Sequence, residues 1–410
     1  MIPMRFAELL NEPHIDVLVG ELEDKVQPLM PYSDDTCNFL DTVSRRLLSD
    51  RRVKTFSDVA SFAYWCRKAN ILAKRTDFNR REGDRVRLGR GLAFHIAPSN
   101  IPVNFAFSFV FSLLSGNANI VRVPSKKFSQ VNIICDAISE SIRQFPNLMR
   151  QNVFVRYPSS EDKITEKLSE HADVRIIWGG DATVERLKSM KSSPRCVDIA
   201  FADRYSIAIM DGNKILSLDE AGLKRLARAF YNDTYLIDQN ACSSPMTIFW
   251  LNDSQVARVL FWSSVGQYAH AHYDLQLAIS FEKYVKLSED VATSLVLDVD
   301  GSNYDGYVTH VDITPLLQKD NNFCISNLRG RGGYFYEAAI NSIGEFLPHV
   351  TNKVQTLVYF GIEPKTIARL IAAEGISGID RIVPVGNALD IDVIWDGFDL
   401  VSVMSRVISS

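Results

Sequence analysis

Of the six cysteines in the chain, Cys242 alone is set among polar residues, in the run Asp238-Gln239-Asn240-Ala241-Cys242-Ser243-Ser244-Pro245. A cysteine thiolate can attack a carbonyl carbon and hold the acyl group as a covalent intermediate. A loop just ahead of a strand can expose such a thiol. It can also turn backbone N–H groups toward the thiolate, or toward an oxyanion formed beside it. The competing reading is a small buried hydrophobe, because free cysteine is among the most buried residue types. Local sequence leaves both open. Cys37, Cys66, Cys135, Cys196 and Cys324 lie in helix-like or strand-like apolar surroundings and read as structural. They are widely scattered with no Cys-x-x-Cys pair, so neither a zinc site nor a disulfide framework is expected. His270 and His272 are two apart on an expected helix, whereas a metal pair on one face needs a spacing of three or four. His95 alternates with Phe94 and Ile96 in a strand and reads as packed or hydrogen-bonded.

These residues must be positioned by three compositional zones. Residues 1–85 read as helical, with apolar residues at helical spacing over 35–50 and a second helix over 57–74. From Gly91 short apolar runs alternate with helical patterns. Strands are expected at 92–97, 119–123, 152–157, 174–178, 197–202 and 206–210, with helices at 103–115, 126–143, 160–171 and 182–190. This alternation predicts an α/β fold with a parallel sheet covered on both faces. Ligands of such sheets bind at the carboxyl ends of the strands, so the loops after Ala97, Val123 and Trp178 are the places to look. The third zone adds a helix at 219–232, a strand at 246–251, a long helix at 254–273, a strand at 353–361 and a helix at 364–374. The expected division is a helical segment 1–85, a Rossmann-type nucleotide-binding domain 86–211, a catalytic domain 212–395 carrying the cysteine, and a tail 396–410 that packs back or oligomerises.

Composition excludes other classes. The 410 residues are 46% hydrophobic and 23% charged, which suits packed domains and not disorder. Lys plus Arg total 45 against 49 Asp plus Glu, a formal charge of −4, which speaks against a general nucleic-acid binder. No run approaches the roughly 20 apolar residues of a membrane-spanning helix. The N-terminus lacks a secretory pattern, so a soluble, cytoplasmic protein is expected.

Two segments frame the first strand–helix–strand unit: Ala97-Pro98-Ser99-Asn100-Ile101-Pro102, and Ser115 to Ser125 with its Val123-Pro124-Ser125 end. Together with Trp178-Gly179-Gly180-Asp181 and Cys242, they resemble the aldehyde dehydrogenase superfamily. Within it, 94–104, 238–245 and 378–406 are most similar to the acyl-CoA reductases of the LuxC type, the last segment holding Arg381 to Gly386 and Trp395-Asp396-Gly397-Phe398-Asp399-Leu400. The resemblance implies an aldehyde dehydrogenase-like fold and NADPH-dependent reduction of a fatty acyl thioester, long-chain in the first reading, to an aldehyde through an acyl-cysteine. It implies Cys242 as nucleophile and Asn100 as an oxyanion donor. It further implies cofactor contacts at Ala97, Pro98, Ser99, Arg122, Val123, Pro124, Ser125, Lys126, Gly179, Gly180 and Thr183. The substrate would be an acyl-CoA or an acyl-protein. An acyl-protein synthetase and an acyl transferase are implied as partners, and identical chains are implied to assemble. The alternatives are a CoA-dependent acylating aldehyde dehydrogenase acting on short chains, and a non-catalytic scaffold.

Departures from the superfamily pattern sharpen this. The glutamate that activates water in aldehyde-oxidising members aligns with Phe201, or with Asp203 or Asp198 if the alignment slips. Without such a base an acyl-cysteine survives to meet hydride or CoA. A second family glutamate, which binds ribose hydroxyls, aligns with Lys126, which would attract a 2′-phosphate where a carboxylate repels one. Lys126 and Lys127 also read as a charged helix start. Glu337 and Glu345 are both candidates for the superfamily's other ribose-binding glutamate, or plain surface carboxylates.

Overall fold

The computed structural model describes residues 10, 12–98, 101–293, 306–320 and 323–409. The chain forms two compact units, Met1–Ala202 with Phe398–Ser410, and Asp203–Gly397.

The first unit is built on the strands β1 (Asp16–Leu22), β2 (Val86–Gly89), β3 (Leu92–Ile96), β4 (Ala118–Arg122), β5 (Gln151–Arg156), β6 (Val174–Trp178) and β7 (Val197–Phe201). Its main sheet has the order β1-β5-β4-β3-β6-β7, with β3 to β7 parallel and β1 antiparallel on the β5 edge. Every residue of β3 and of β6 is buried. Strands covered on both faces must be apolar throughout, which is why they appear in the sequence as continuous runs. The helices Asn104–Leu114, Ser129–Ile142, Asp162–His171 and Asp181–Ser189 connect them.

β1 falls in the stretch read as helical. Its Gly20 has a φ of +68°, and a Cβ there would stand 1.9 Å from the Asn152 carbonyl oxygen, so glycine is what lets the edge strand approach β5. The helix expected over 57–74 is two helices, Ser57–Trp65 and Lys68–Glu82. The first ends because Arg67 is extended, and the Asn70 side-chain amide satisfies the freed Trp65 carbonyl at 2.6 Å.

The second unit holds β8 (Tyr205–Asp211), β9 (Pro245–Leu251), β10 (Thr309–Asp312), β11 (Tyr334–Ile340), β12 (Val354–Phe360) and β13 (Arg381–Pro384). They form one parallel sheet in the order β10-β11-β9-β8-β12-β13. The sequence reading placed the strand at 206–210 last in the nucleotide-binding domain. It lies at the centre of the second sheet, between β9 and β12. Sequence spacing could not show this, because β7 and β8 are equally apolar and their short connection resembles a turn within one sheet. The last strand, β14 (Ser405–Ile408), pairs antiparallel with β2. Among the described residues no helix is long and apolar enough to cross a membrane.

Candidate active site

Cys242 stands between the helix Glu220–Thr234 and β9, on a loop whose course is fixed residue by residue. Asp238 and Gln239 both take left-handed conformations, with φ of 52° and 61°, and reverse the chain. Gln239 is buried, and its amide spends all its described capacity on backbone. Nε2 donates to the carbonyls of Pro245 (3.2 Å) and Tyr334 (3.1 Å), and Oε1 accepts from Gly333 N–H (3.1 Å). Tyr273 donates its hydroxyl to Asp238 at 2.6 Å. Ser244 donates to the Asp233 carbonyl at 2.7 Å. The Cys242 carbonyl accepts from Ser206 Oγ at 2.6 Å, and that oxygen accepts from Thr356 N–H at 3.2 Å. The polar residues around the cysteine therefore act as a clamp on the loop, which is why they are there in a sequence too polar for core.

The thiol is only partly exposed. Burial pushes its pKa above the ordinary value, and the carboxylates of Asp396 and Asp203 add to this. The backbone N–H groups of Arg204 and of Cys242 itself pull the other way. At rest the group is a neutral thiol, and the two backbone N–H groups favour its ionised form. Burial likewise pushes Cys135 up to about 12 and Cys196 to about 11. Cys196 and Cys324 lie in connections instead of the helix-like or strand-like settings expected, and both are partly exposed.

Arg204 joins several of these groups. Its guanidinium contacts Asp380, Asp396 at 2.8 Å and the Val354 carbonyl at 3.2 Å. Asp203 pairs with Arg329 at 2.6 Å. Gln239, Arg204 and Asp396 were missed by sequence reasoning. The only available signal was the polar character of 238–244 and the Trp395-Asp396-Gly397 turn.

In the first unit, Ser99 and Asn100 lie outside the described residues. Ala97 N–H bonds to the Arg122 carbonyl at 3.4 Å and Pro98 follows it at the end of β3. Val123 and Pro124 are buried and shape the turn after β4, while Ser125 and Lys126 are exposed. The helix that follows starts at Ser129, so Lys126 and Lys127 sit in the loop ahead of it and do not form its charged first turn. Gly179 N–H bonds to the Phe201 carbonyl at 3.1 Å, and Gly180 caps the helix Asp181–Ser189 with Thr183 exposed in its first turn.

Arg122 ends β4 with its guanidinium mostly removed from water. It stacks on Tyr157 at 4.7 Å and makes one long bond, 3.5 Å, to the Tyr157 carbonyl. Its Nε is buried without a partner. The neighbouring Arg186 takes Asp162 for itself. Burial pushes the Arg122 pKa down. A buried cation this poorly paired is costly unless an anion completes it. Arg156, whose Nε reaches the Pro124 carbonyl at 3.3 Å, also has a buried N–H group, at Nη2, without an acceptor. The residues present thus fit a phosphorylated cofactor.

Phe201 stacks on Trp178 with ring centroids 3.7 Å apart. Asp198 is held by Arg175 in a two-pronged pair at 2.6 and 2.7 Å. His95 is fully buried between Ser108 (2.8 Å) and Asn119 (2.9 Å). Burial brings its pKa down to about 4, so it stays neutral. His270 and His272 pack against Tyr307 and Tyr268, and no metal-holding cluster occurs among the described residues. Glu337 is no surface carboxylate: it is buried on β11 and fully engaged by side-chain donors, so it is not free to hold a ribose. Glu345 accepts from Asn341 N–H at 2.9 Å.

A family model described as acyl-CoA reductase (LuxC) matches residues 21–278. The chain is 24% identical over 302 residues to a long-chain acyl-protein thioester reductase of Aliivibrio fischeri, covering 72% of this chain and 58% of that protein. It is 22% identical over 313 residues to the corresponding protein of Photorhabdus luminescens, covering 73% and 61%. The match therefore spans about three-fifths of those relatives' lengths. Among solved structures, a 1-pyrroline-5-carboxylate dehydrogenase from Thermus with bound NAD superposes with a TM-score of 0.61 at 13% identity, over 92% of this chain and 81% of that one. A glyceraldehyde-3-phosphate dehydrogenase of Methanocaldococcus jannaschii complexed with NADP gives 0.57 at 10% identity, over 91% and 88%. These likenesses establish the fold.

Proposed function

The chain belongs to the acyl-CoA reductase (LuxC) family, and from that premise we propose that it reduces the acyl group of a long-chain thioester to an aldehyde, with Cys242 carrying the acyl group. The observation that supports this most is the loop that holds Cys242, clamped through the Cys242 and Pro245 carbonyls, with the backbone N–H groups of Cys242 and of Arg204 favouring the ionised sulfur. Those donors stabilise the thiolate as it forms. Once the sulfur is acylated, the Cys242 N–H is available to the carbonyl oxygen. Asn100 keeps the role of second oxyanion donor that the resemblance implies. When bound, a nicotinamide cofactor supplies the hydride.

Arg122 and Lys126, with Arg156 beside the same turn, would favour NADPH over NADH by meeting the 2′-phosphate. Gly180 leaves open space at its helix start, where a Cβ would meet nothing within 4 Å. Arg122→Leu is expected to raise the KM for NADPH about 10-fold or more, the worth of one charge-assisted hydrogen bond, and to leave NADH turnover nearly unchanged. Steady-state rates with both cofactors check this, and an equal loss with both would remove Arg122 from phosphate recognition.

Radiolabelled tetradecanoyl-CoA tests the reading as a whole. The protein is expected to take up one acyl group on the peptide containing Cys242, and NADPH is expected to discharge it as aldehyde. Label on another peptide, or label that NADPH fails to discharge, would overturn the proposal. Faster turnover of short acyl-CoA than of the tetradecanoyl thioester would replace the long-chain assignment by a short-chain one.

A further inference from the structure

The head of β8 departs from regular pairing on both sides. Towards β12, Tyr205 pairs with Val354 and Ser206 with Thr356, so Gln355 is an extra residue in that neighbour. Towards β9, Ser206 pairs with Pro245 and Ile207 with Thr247, so Met246 is an extra residue there. Bulges of this kind disrupt the ladder locally and re-aim the groups beside them. Here the Thr356 N–H is sent to a side chain. Ser206 is fully buried, and its hydroxyl accepts from the Thr356 N–H at 3.2 Å and donates to the Cys242 carbonyl at 2.6 Å. A hydroxyl both accepts and donates, so one small side chain bridges the centre of the sheet and the residue that carries the thiol.

The carbonyl it holds belongs to the central peptide of a tight turn. Ser244 N–H bonds to the Ala241 carbonyl at 3.0 Å, which places Cys242 and Ser243 at the two corners. The two common forms of such a turn differ in the direction this central peptide faces. The reversed form needs a positive φ at the second corner, which Ser243 does not have. A serine at that corner disfavours the reversal without forbidding it. The Ser206 hydroxyl supplies the lock. The direction matters because the carbonyl oxygen is the negative end of a dipole on the nucleophilic residue itself. Acylation builds negative charge first on the sulfur and then on the acyl oxygen. Bonded to Ser206, the carbonyl oxygen is partly neutralised at the buried head of β8. Released, it would be one more negative group on a residue whose thiolate is already opposed by the Asp396 and Asp203 carboxylates.

We propose that Ser206 is a positioning residue for acyl transfer, its hydroxyl fixing the Cys242–Ser243 peptide so that the Cys242 carbonyl stays bonded at the head of β8 while charge forms on the sulfur and the acyl oxygen. The inference rests on the reading that Cys242 is acylated.

Ser206→Ala removes the bridge at almost no change of volume. The maximal rate of Cys242 acylation by tetradecanoyl-CoA is expected to fall about 10- to 100-fold, the scale for a misplaced reacting group. The thioester concentration that gives half of this rate is expected to stay unchanged. Alkylation of the Cys242 peptide by iodoacetamide is expected to shift its pH profile upward, because the thiolate loses a neutralised neighbour. Ser206→Thr keeps a hydroxyl and is expected to restore both. Wild-type acylation in the alanine variant would overturn the proposal, as would a loss confined to the half-saturating concentration. So would slowed acylation with an unmoved alkylation profile, or a folded threonine variant that stays as slow as alanine. Hydrogen exchange of the wild type gives a second measurement should the alanine variant fail to fold. The Thr356 amide is expected to exchange only as the centre of the sheet opens, and exchange as fast as that of exposed loop amides would overturn the bridge. A wild-type protein that is never acylated at Cys242 would instead sink the reading beneath, whereas the alkylation profiles need no thioester and would still tell whether Ser206 governs the sulfur.

Discussion

Cys242→Ala is expected to lose thioester reduction by on the order of 10⁴-fold or more, the scale seen when a covalent nucleophile is removed. The variant keeps every hydrogen bond that shapes the loop, because Ser206, Gln239 and Ser244 all act on backbone groups or on one another's segments. Its thermal unfolding should therefore match the wild type, and its NADPH affinity should be unchanged. What is lost is the sulfur, and with it the intermediate that divides one difficult step into two. Following NADPH oxidation with tetradecanoyl-CoA gives the answer directly. More than about 1% of wild-type turnover in the variant, against the loss argued from, would show that hydride reaches the thioester without a covalent stage.

Glu337→Leu is expected to cost about 3–5 kcal/mol of stability, the range for breaking one side of a buried charged pair. Glu337 Oε2 accepts from the indole N–H groups of Trp250 (2.7 Å) and Trp262 (2.8 Å). Oε1 accepts from His310 (2.9 Å) and lies 3.3 Å from Arg258. Leucine fills the volume but leaves two buried indole donors unmet and Arg258 short of one counter-charge. The ionisation of Glu337 shows the same balance. Burial alone would raise its pKa, but His310, Arg258 and the Trp262 indole N–H outweigh burial and bring it down to about 2. A carboxyl depressed in the folded state contributes stability that is complete above its ordinary value of 4.5 and is lost as the pH falls toward 2. The wild type should thus weaken between about pH 4.5 and 2, and the leucine variant should show a flatter dependence there. Thermal unfolding across that range measures both effects. An unfolding midpoint within about 2 °C of wild type at pH 7, against the shift that several kcal/mol implies, would show that the network contributes little.

Much of this protein was legible in the sequence because its strands are buried on both faces. β3, β4 and β6 stand out as apolar runs bounded by turn residues, and the polar stretch before β9 marked Cys242 for attention. What stayed hidden depends on pairing between distant residues. Nothing local distinguishes β8 from the strands before it, and its place in the second sheet follows from which edges it finds. Gln239 reads as one more polar loop residue until Tyr334 and Pro245 are brought to it. Glu337 lies in an aromatic strand, where only the fold supplies the indoles and the arginine that make a buried charge tolerable. Arg122 was noticed for its sign, but its burial and poor pairing could be known only from the packing of Tyr157.

The ribbon of β2 and β14 also sets an order of events. The amide of Asn117 reaches the Met404 carbonyl at 2.9 Å, and Arg90 reaches that of Val403 at 2.7 Å. Arg87 reaches Ser402 and Ser405 at 2.9 and 3.0 Å. These partners leave the ribosome only after the whole cysteine-bearing unit has been made. The first unit to be started is therefore the last to be completed. Until the tail arrives, it carries an open strand edge and unmet buried polar groups, and a nascent chain in that interval is the form most exposed to mispairing and to chaperones.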